Sequence, residues 1–267
     1  MKIKFDTHTH TTISDGGNTP EEMLKKAAEK GFEFLTVTDH FDIHERFPEK
    51  LSRFDGAGRE ESYNALSELK KRDYGVKFLN GIEIAQAHRH KEIAENWLNS
   101  HDYDFVLGSC HIIRGQVDFY HIDYGKNDPD LLLKQYFDEL IELCKWCSCD
   151  GADRKFDSLA HLTYPLRYMS GFGNIALYKD NIDELFAIMI KGEIALEINT
   201  AGDILCPEQV QIERYRELGG RLVTIGSDSH SVDTIGQRID VGIRAAKTAG
   251  FNECVYYENR NPHFIKI

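Results

Sequence analysis

Asp6-Thr7-His8-Thr9-His10 closes the first extended run of the chain. Before it, Lys2 to Asp6 alternates charged and apolar residues, with Ile3 and Phe5 on one face, as a half-buried strand does. In extended backbone, residues i and i+2 project to the same side, so His8 and His10 can reach one cation. Imidazole is the commonest metal ligand. Two histidines near a terminus can also fall together by chance, and the rest of the chain has to separate these alternatives.

Beyond this stretch, apolar runs alternate with helical patterns. Thr19-Pro20-Glu21-Glu22 starts a helix, with Thr as N-cap, Pro at the first helical position and acids in the first turn. That helix covers Glu21–Lys30 and stops at Gly31. Further helices are expected over Arg59–Arg72, Lys91–Ser100 and Asp130–Trp146, the last amphipathic through Leu132, Tyr136, Leu140 and Leu143. Others run from a cap at Asp180 or Asn181 to Lys191, from Pro207 to Gly219-Gly220, and over Ile235–Ala249. Between them lie strands at Phe34–Thr38, Lys77–Ile84, Phe105–Ser109, Ser158–His161, Ile194–Asn199 and Leu222–Gly226, and a last short strand at Cys254–Tyr257. Such alternation demands a parallel sheet. Seven βα units within 267 residues point to a closed or nearly closed barrel. No Gly-x-Gly-x-x-Gly follows a strand, so a dinucleotide crevice has no support.

Composition is that of an ordinary globular protein, 41% hydrophobic and 28% charged, with no low-complexity tract, repeat or Pro/Gly/Ser-rich linker; one domain over residues 1–267 is expected. The N-terminal Met-Lys-Ile-Lys-Phe-Asp lacks the apolar core of a secretory signal and no window approaches a membrane span, so a cytoplasmic location is expected. The six cysteines (Cys110, Cys144, Cys147, Cys149, Cys206, Cys254) then default to free thiols. Cys144, Cys147 and Cys149 have the spacing of a soft-metal site but no fourth ligand nearby. A formal charge of −12 repels a nucleic-acid backbone, so no nucleic-acid partner and no membrane partner are expected. A small anionic substrate remains compatible where metal ions make a site locally cationic. Nothing in the sequence speaks to oligomeric state.

The metal-capable residues are not scattered. His8 and His10 follow strand one and His40 follows strand two; Glu83 ends strand three, His111 follows strand four, His161 ends strand five, and Asp228 and His230 follow strand seven. In a βα barrel these strand ends converge on one face, where active sites are built. His44, His88, His90, His101, His121 and His263 fall mostly in loops or helices and are expected to be solvated or capping.

Taken in order, His8-x-His10, Asp39-His40, the Gly-x-Glu at Glu83, Gly108-Ser109-x-His111, the lone His161 and Ser227-Asp228-x-His230 resemble the polymerase and histidinol phosphatase (PHP) superfamily. The resemblance implies a distorted (β/α)7 barrel carrying two or three divalent ions, zinc, manganese or iron, on the C-terminal face of its strands. One ion would be held by His8, His10, Glu83 and Asp228, and a second by Glu83, His111 and His161, with Glu83 bridging. A third would use Asp15, His40 and His230; many relatives have histidine where this chain has Asp15. A hydroxide bridging two such ions would attack a phosphomonoester, since metal pairs about 3.5–4 Å apart acidify water and neutralise the phosphoryl group. Glu83, Asp15, Asp228 and His230, together with Arg167, are the candidate catalytic residues.

Length and layout are most like the histidinol-phosphate phosphatase branch, through Gly108-Ser109-Cys110-His111, Ala160-His161-Leu162, Glu197-Ile198-Asn199-Thr200-Ala201-Gly202 and Lys247-Thr248-Ala249-Gly250-Phe251. The implied reaction is hydrolysis of L-histidinol phosphate to L-histidinol and phosphate. Relatives commonly have Leu-Arg where this chain has Asp203-Ile204. Arg167 is therefore the first candidate to grip phosphate, Arg114 the second, and His40 a third substrate contact. Asp15, Asp118 and Asp123 are all available to pair with the substrate amine or imidazole. Two other readings share much of this evidence: a PHP-type esterase of nucleotides or phosphodiesters, and a metal-binding scaffold without turnover.

Overall fold

The computed structural model describes residues 4–43, 58–148, 154–169 and 174–267. Lys2, Ile3, His44 and Cys149 lie outside the described residues. Strands β1 (Phe5–Asp6), β2 (Phe34–Val37), β3 (His40–Asp42), β4 (Lys77–Ala85), β5 (Phe105–Ser109), β6 (Ser158–Leu159), β7 (Ala195–Asn199) and β8 (Val223–Gly226) form one parallel sheet. Its order is β1-β2-β4-β5-β6-β7-β8, with β3 also on β4. Backbone hydrogen bonds close the seam between first and last strands at the C-terminal rim, where His10 N donates to Ser229 O at 2.8 Å and Asp228 N to His8 O at 2.9 Å. Asp6 reinforces the seam. Its buried carboxylate accepts from the backbone N–H of Ser227 and of Gly236, each at 2.9 Å, and from the Ser227 hydroxyl. Burial pushes this carboxyl up to about 6 against the hydrogen bonds that lower it.

Helices α1 (Pro20–Glu29), α2 (Gly58–Leu69), α3 (Lys91–Ser100), α4 (Pro129–Cys147), α5 (Lys179–Lys191), α6 (Gln209–Glu217) and α7 (Ile239–Thr248) link the strands. The start of α1 is the predicted one, with a reciprocal capping box between Thr19 and Glu22 worth about 1 kcal/mol. In α4 the cap is Asp128, two residues before the expected start, because its carboxylate reaches the N–H groups of Asp130 and Leu131. The last two helices begin later than expected, at Gln209 and Ile239, the preceding residues being spent on turns.

Alternation along each strand divides the core. In β7, Ala195, Glu197 and Asn199 face the barrel interior, while Leu196 and Ile198 join the apolar layer under the helices. The single strand expected at Cys254–Tyr257 is instead one arm of an antiparallel hairpin, β9 (Glu253–Glu258) with β10 (Asn261–Lys266). Val255 and Tyr257 pack with Phe105, Leu107 and Ala195, filling the end of the barrel opposite the histidines. The strand at His40–Asp42 was also not foreseen. The nine-residue β4 outruns β2, and past Thr38 the chain re-forms an extended segment on its free upper half. Among the described residues, no helix is long and apolar enough to cross a membrane.

Candidate metal centre and active site

All nine residues expected as ligands meet at the C-terminal rim. His8 Nε2 and His10 Nε2 are 2.9 Å apart. Glu83 Oε2 lies 3.4 and 3.6 Å from them, and Asp228 Oδ1 lies 3.5 and 3.2 Å from them. On the other side of the same carboxylate, Glu83 Oε1 is 3.2 Å from His111 Nε2 and 2.9 Å from His161 Nε2, which are themselves 3.3 Å apart. Farther out, Asp15 Oδ1 is 3.6 Å from His40 Nε2 and 3.3 Å from His230 Nε2. Ligand atoms around a tetrahedral ion with bonds near 2.0–2.1 Å are about 3.4 Å from one another. The first two groups have about that spacing, and in the third His40 and His230 each reach Asp15 at 3.6 and 3.3 Å.

The groups are not separate. His40 stands between them, 3.0 Å through Nδ1 from Glu83 Oε2, and it shares ligand-distance groups both with Glu83 and His111 and with His10, Asp15 and His230. Glu83 Oε2 is fully buried yet accepts no hydrogen bond from a described residue. An orphaned buried carboxylate oxygen facing imidazole nitrogens is costly unless a cation completes it, so the donor set fits divalent metal.

Charge follows from this crowding. Burial alone would raise the Glu83 carboxyl, but His111, His40 and His8 outweigh it and hold Glu83 well below the usual range. Asp228 is held down in the same way by His8, His10 and Arg167. Burial and the neighbouring His40, His230 and His8 push His10 down to about 3. Burial lowers His230 less than Asp15 and Asp228 raise it, and it sits at about 9.

Several supporting side chains were not singled out from the sequence. Glu197 Oε1 lies 2.6 Å from His8 Nδ1, and Asp42 Oδ2 lies 3.1 Å from His111 Nδ1. Asp39 accepts from Thr11 N, Thr11 Oγ1 and Ser14 Oγ at 2.7, 2.7 and 2.6 Å, which folds the loop that presents Asp15. In the sequence Glu197 stands within the run Glu197-Ile198-Asn199-Thr200-Ala201-Gly202, where a carboxylate in an otherwise apolar strand marks it.

A cavity of about 340 Å³ opens over the cluster. Asp15, His40, His111, His161, Asp228 and His230 line it below, and Asp118, Tyr120, His121, Tyr164, Arg167 and Tyr168 above. Arg167 reaches it as expected, with Nη1 donating to Asp228 Oδ2 at 3.0 Å, Nη2 to Asn199 Oδ1 at 2.7 Å, and the guanidinium over Tyr164. Arg114 does not. It is turned outward to Glu139 Oε1 at 3.4 Å and Glu142 Oε2 at 2.9 Å, because α4 presents those carboxylates on that side. His121, expected to be solvated, lines the cavity, and His88, expected likewise, is buried with Nε2 2.5 Å from Glu139. His88, Glu139 and Glu142 also come within ligand distance of one another, but Arg89 and Arg114 already neutralise those carboxylates. Asp203 and Ile204 line a second cavity of about 520 Å³ that shares Arg167 with the first. The described cysteines are buried free thiols.

Residues 6–201 match the PHP domain family. The chain belongs to that family. This PHP chain is 33% identical over 265 residues to a protein of Clostridium acetobutylicum named probable histidinol-phosphatase, covering 96% of this chain and 97% of the other. It is 28% identical over 265 residues to the histidinol-phosphatase of Lactococcus lactis subsp. lactis, covering 94% and 93%. It shares its fold with the crystal structure of histidinol phosphate phosphatase from Lactococcus lactis subsp. lactis complexed with zinc, L-histidinol and phosphate, at a TM-score of 0.77 and 24% identity, over 98% of this chain and 100% of that one.

Proposed function

We propose that this PHP chain is a metal-dependent phosphomonoesterase that hydrolyses L-histidinol phosphate to L-histidinol and phosphate, a step of histidine biosynthesis in the cytoplasm. The observation that carries this is the convergence of His8, His10, Asp15, His40, Glu83, His111, His161, Asp228 and His230 beneath one open cavity. The full-length likeness to histidinol-phosphatases supports the choice of substrate.

His8, His10, Glu83 and Asp228 would hold one ion, Glu83, His111 and His161 a second, and Asp15, His40 and His230 a third, drawn from zinc, manganese or iron. Bound there, such ions supply water acidified toward neutrality and positive charge against the phosphoryl oxygens. Arg167, in the cavity wall, adds a planar donor fork for the phosphate. Of the three carboxylates open for the substrate amine, Asp118 is assigned to it in this reading. Asp123 is outside the cavity on Lys126, and Asp15 is committed to His40 and His230. Asp118 lines the wall beside Tyr120, His121, Tyr164 and Tyr168, a surface of aromatic faces and negative charge that suits an ammonium and an imidazole ring. Residues 1–267 act as one domain in this scheme, supported by the one eight-stranded sheet whose strand ends and following loops carry the proposed ligands. A nucleic-acid partner is disfavoured by the acidic surface.

Phosphate release by purified protein from L-histidinol phosphate and sugar phosphates, and mononucleotide formation from dinucleotides, each before and after chelation, test the proposal. Selective, chelator-sensitive turnover of histidinol phosphate is expected. Cleavage of phosphodiesters but not monoesters would replace it with the nucleotide reading, and metal binding without any turnover with the scaffold reading.

A further inference from the structure

We propose that Glu197 is a positioning residue of this centre, fixing from beneath the cluster both the tautomer of His8 and the backbone of His161. The proposal rests on the assignment of those two histidines as ligands. Strand alternation sends the Glu197 side chain into the barrel, where it is fully buried. Its Oε1 is 2.6 Å from His8 Nδ1. With Nε2 turned toward His10, Glu83 and Asp228 and given to a metal, the remaining ring proton of His8 would sit on Nδ1, where Glu197 Oε1 is placed to accept it.

The second oxygen does different work. Glu197 Oε2 accepts from His161 N at 2.8 Å and from Asn199 Nδ2 at 3.1 Å. His161 has φ +25°, a conformation that side-chain-bearing residues adopt rarely and that needs support from its surroundings. The bond from its N–H to Glu197 is such support, and it aims the imidazole at Glu83. One carboxylate thus ties a ligand of the first group to a ligand of the second. Asn199 extends the tie to the cavity wall, with Nδ2 3.3 Å from Asp228 Oδ2 and Oδ1 accepting from Arg167. Close fitting around the pair is visible at Gly226, where a Cβ would lie 2.4 Å from His8 Cβ and 2.8 Å from Glu197 Oε1. A carboxylate present only for packing or stability would leave the ligating nitrogen of His8 indifferent to its replacement.

Glu197→Gln in the full chain keeps the volume and an oxygen for His161 N–H, but then sets an amide NH₂ against His8 Nδ1. The protein, stripped of metal, is measured for zinc affinity by competition with a chromogenic chelator and for thermal unfolding without metal, and the zinc-loaded protein for ¹⁵N shifts of the His8 ring. The expected result is a fall in zinc affinity of about 10–100-fold, with the metal-free Tm nearly unchanged and the Nδ1-protonated pattern of His8 lost. Glu197→Ala should lower affinity at least as far. Zinc affinity within about threefold of the unsubstituted protein (less than about 0.7 kcal/mol) overturns the proposal. So does a drop in metal-free Tm beyond about 8 °C, which would make Glu197 a stabilising residue. If the unsubstituted chain binds no zinc, the metal centre itself is wrong; if it binds zinc and Glu197→Gln binds it equally, only the role of Glu197 is wrong.

Discussion

His40 and Glu83 are direct partners across the pairing of β3 with β4, and His40 Nδ1 lies 3.0 Å from Glu83 Oε2. The register places a third-group residue against the carboxylate shared by the other two groups. Glu83→Gln should therefore disturb the whole cluster. Elemental analysis should show bound metal lost, and kcat/KM on histidinol phosphate should fall at least about a hundredfold, or about 2.7 kcal/mol. Full metal content with full turnover would defeat the assignment.

Arg167 touches Asp228 and Asn199 with separate nitrogens of one guanidinium. Lysine keeps the charge but not the fork. Both Arg167→Lys and Arg167→Ala should lower kcat/KM by more than tenfold (over about 1.4 kcal/mol), with alanine the worse. Arg114→Ala, remote from the cavity, should leave steady-state kinetics unchanged.

Asp118 accepts from Tyr120 N at 2.8 Å and Tyr164 Oη at 3.1 Å, which holds its carboxylate at the cavity wall. Asp118→Asn removes the charge and keeps the shape. KM for histidinol phosphate should rise about tenfold or more (about 1.4 kcal/mol), whereas hydrolysis of an ester whose leaving group carries no amine, such as p-nitrophenyl phosphate, should be little affected. Equal effects on both substrates would remove Asp118 from amine recognition.

Gly226→Ala inserts a methyl group between His8 and Glu197. Overpacking of this kind costs about 1–3 kcal/mol. Denaturant unfolding should show the loss, and metal content should fall with it, since the displaced side chain is a proposed ligand.

Glu139 is paired with His88 and Arg89, none of them among the proposed ligands. Burial would raise its carboxyl, but hydrogen bonds from His88 and Arg89 outweigh burial and bring it to about 2. A folded value below the unfolded one means stability that is complete above about pH 4.5 and is lost as pH falls toward 2. Glu139→Gln should be less stable at pH 7 by on the order of 2 kcal/mol, and the gap should narrow between pH 4.5 and 3. A constant gap would show that the carboxylate charge is not the source.

Much of this was legible without coordinates because it is periodic or local. Thr19-Pro20-Glu21-Glu22 announces α1 through groups within one turn of each other, and the apolar runs of β4, β5 and β7 announce themselves by composition. β3 was not legible, since His40-Phe41-Asp42 is extended only because β4 offers it an unpaired edge. The late starts of α6 and α7 and the hairpin partner of β9 depend likewise on long-range contacts.

The order of the ligand-bearing strand ends, and with it the parallel barrel and the metal-capable rim, was determined by the sequence alone, because every βα repeat delivers its C-terminal residues to the same face. Tertiary structure alone decided which polar residues serve that rim. It turned Arg114 outward to α4 and Arg167 inward to Asp228, and it put Asp118 in the cavity wall. It also set Glu197 beneath His8, although the two are 189 positions apart. Such contacts are made by side chains from different strands meeting in a shared interior, and nothing in the local backbone of either partner encodes the distance between them.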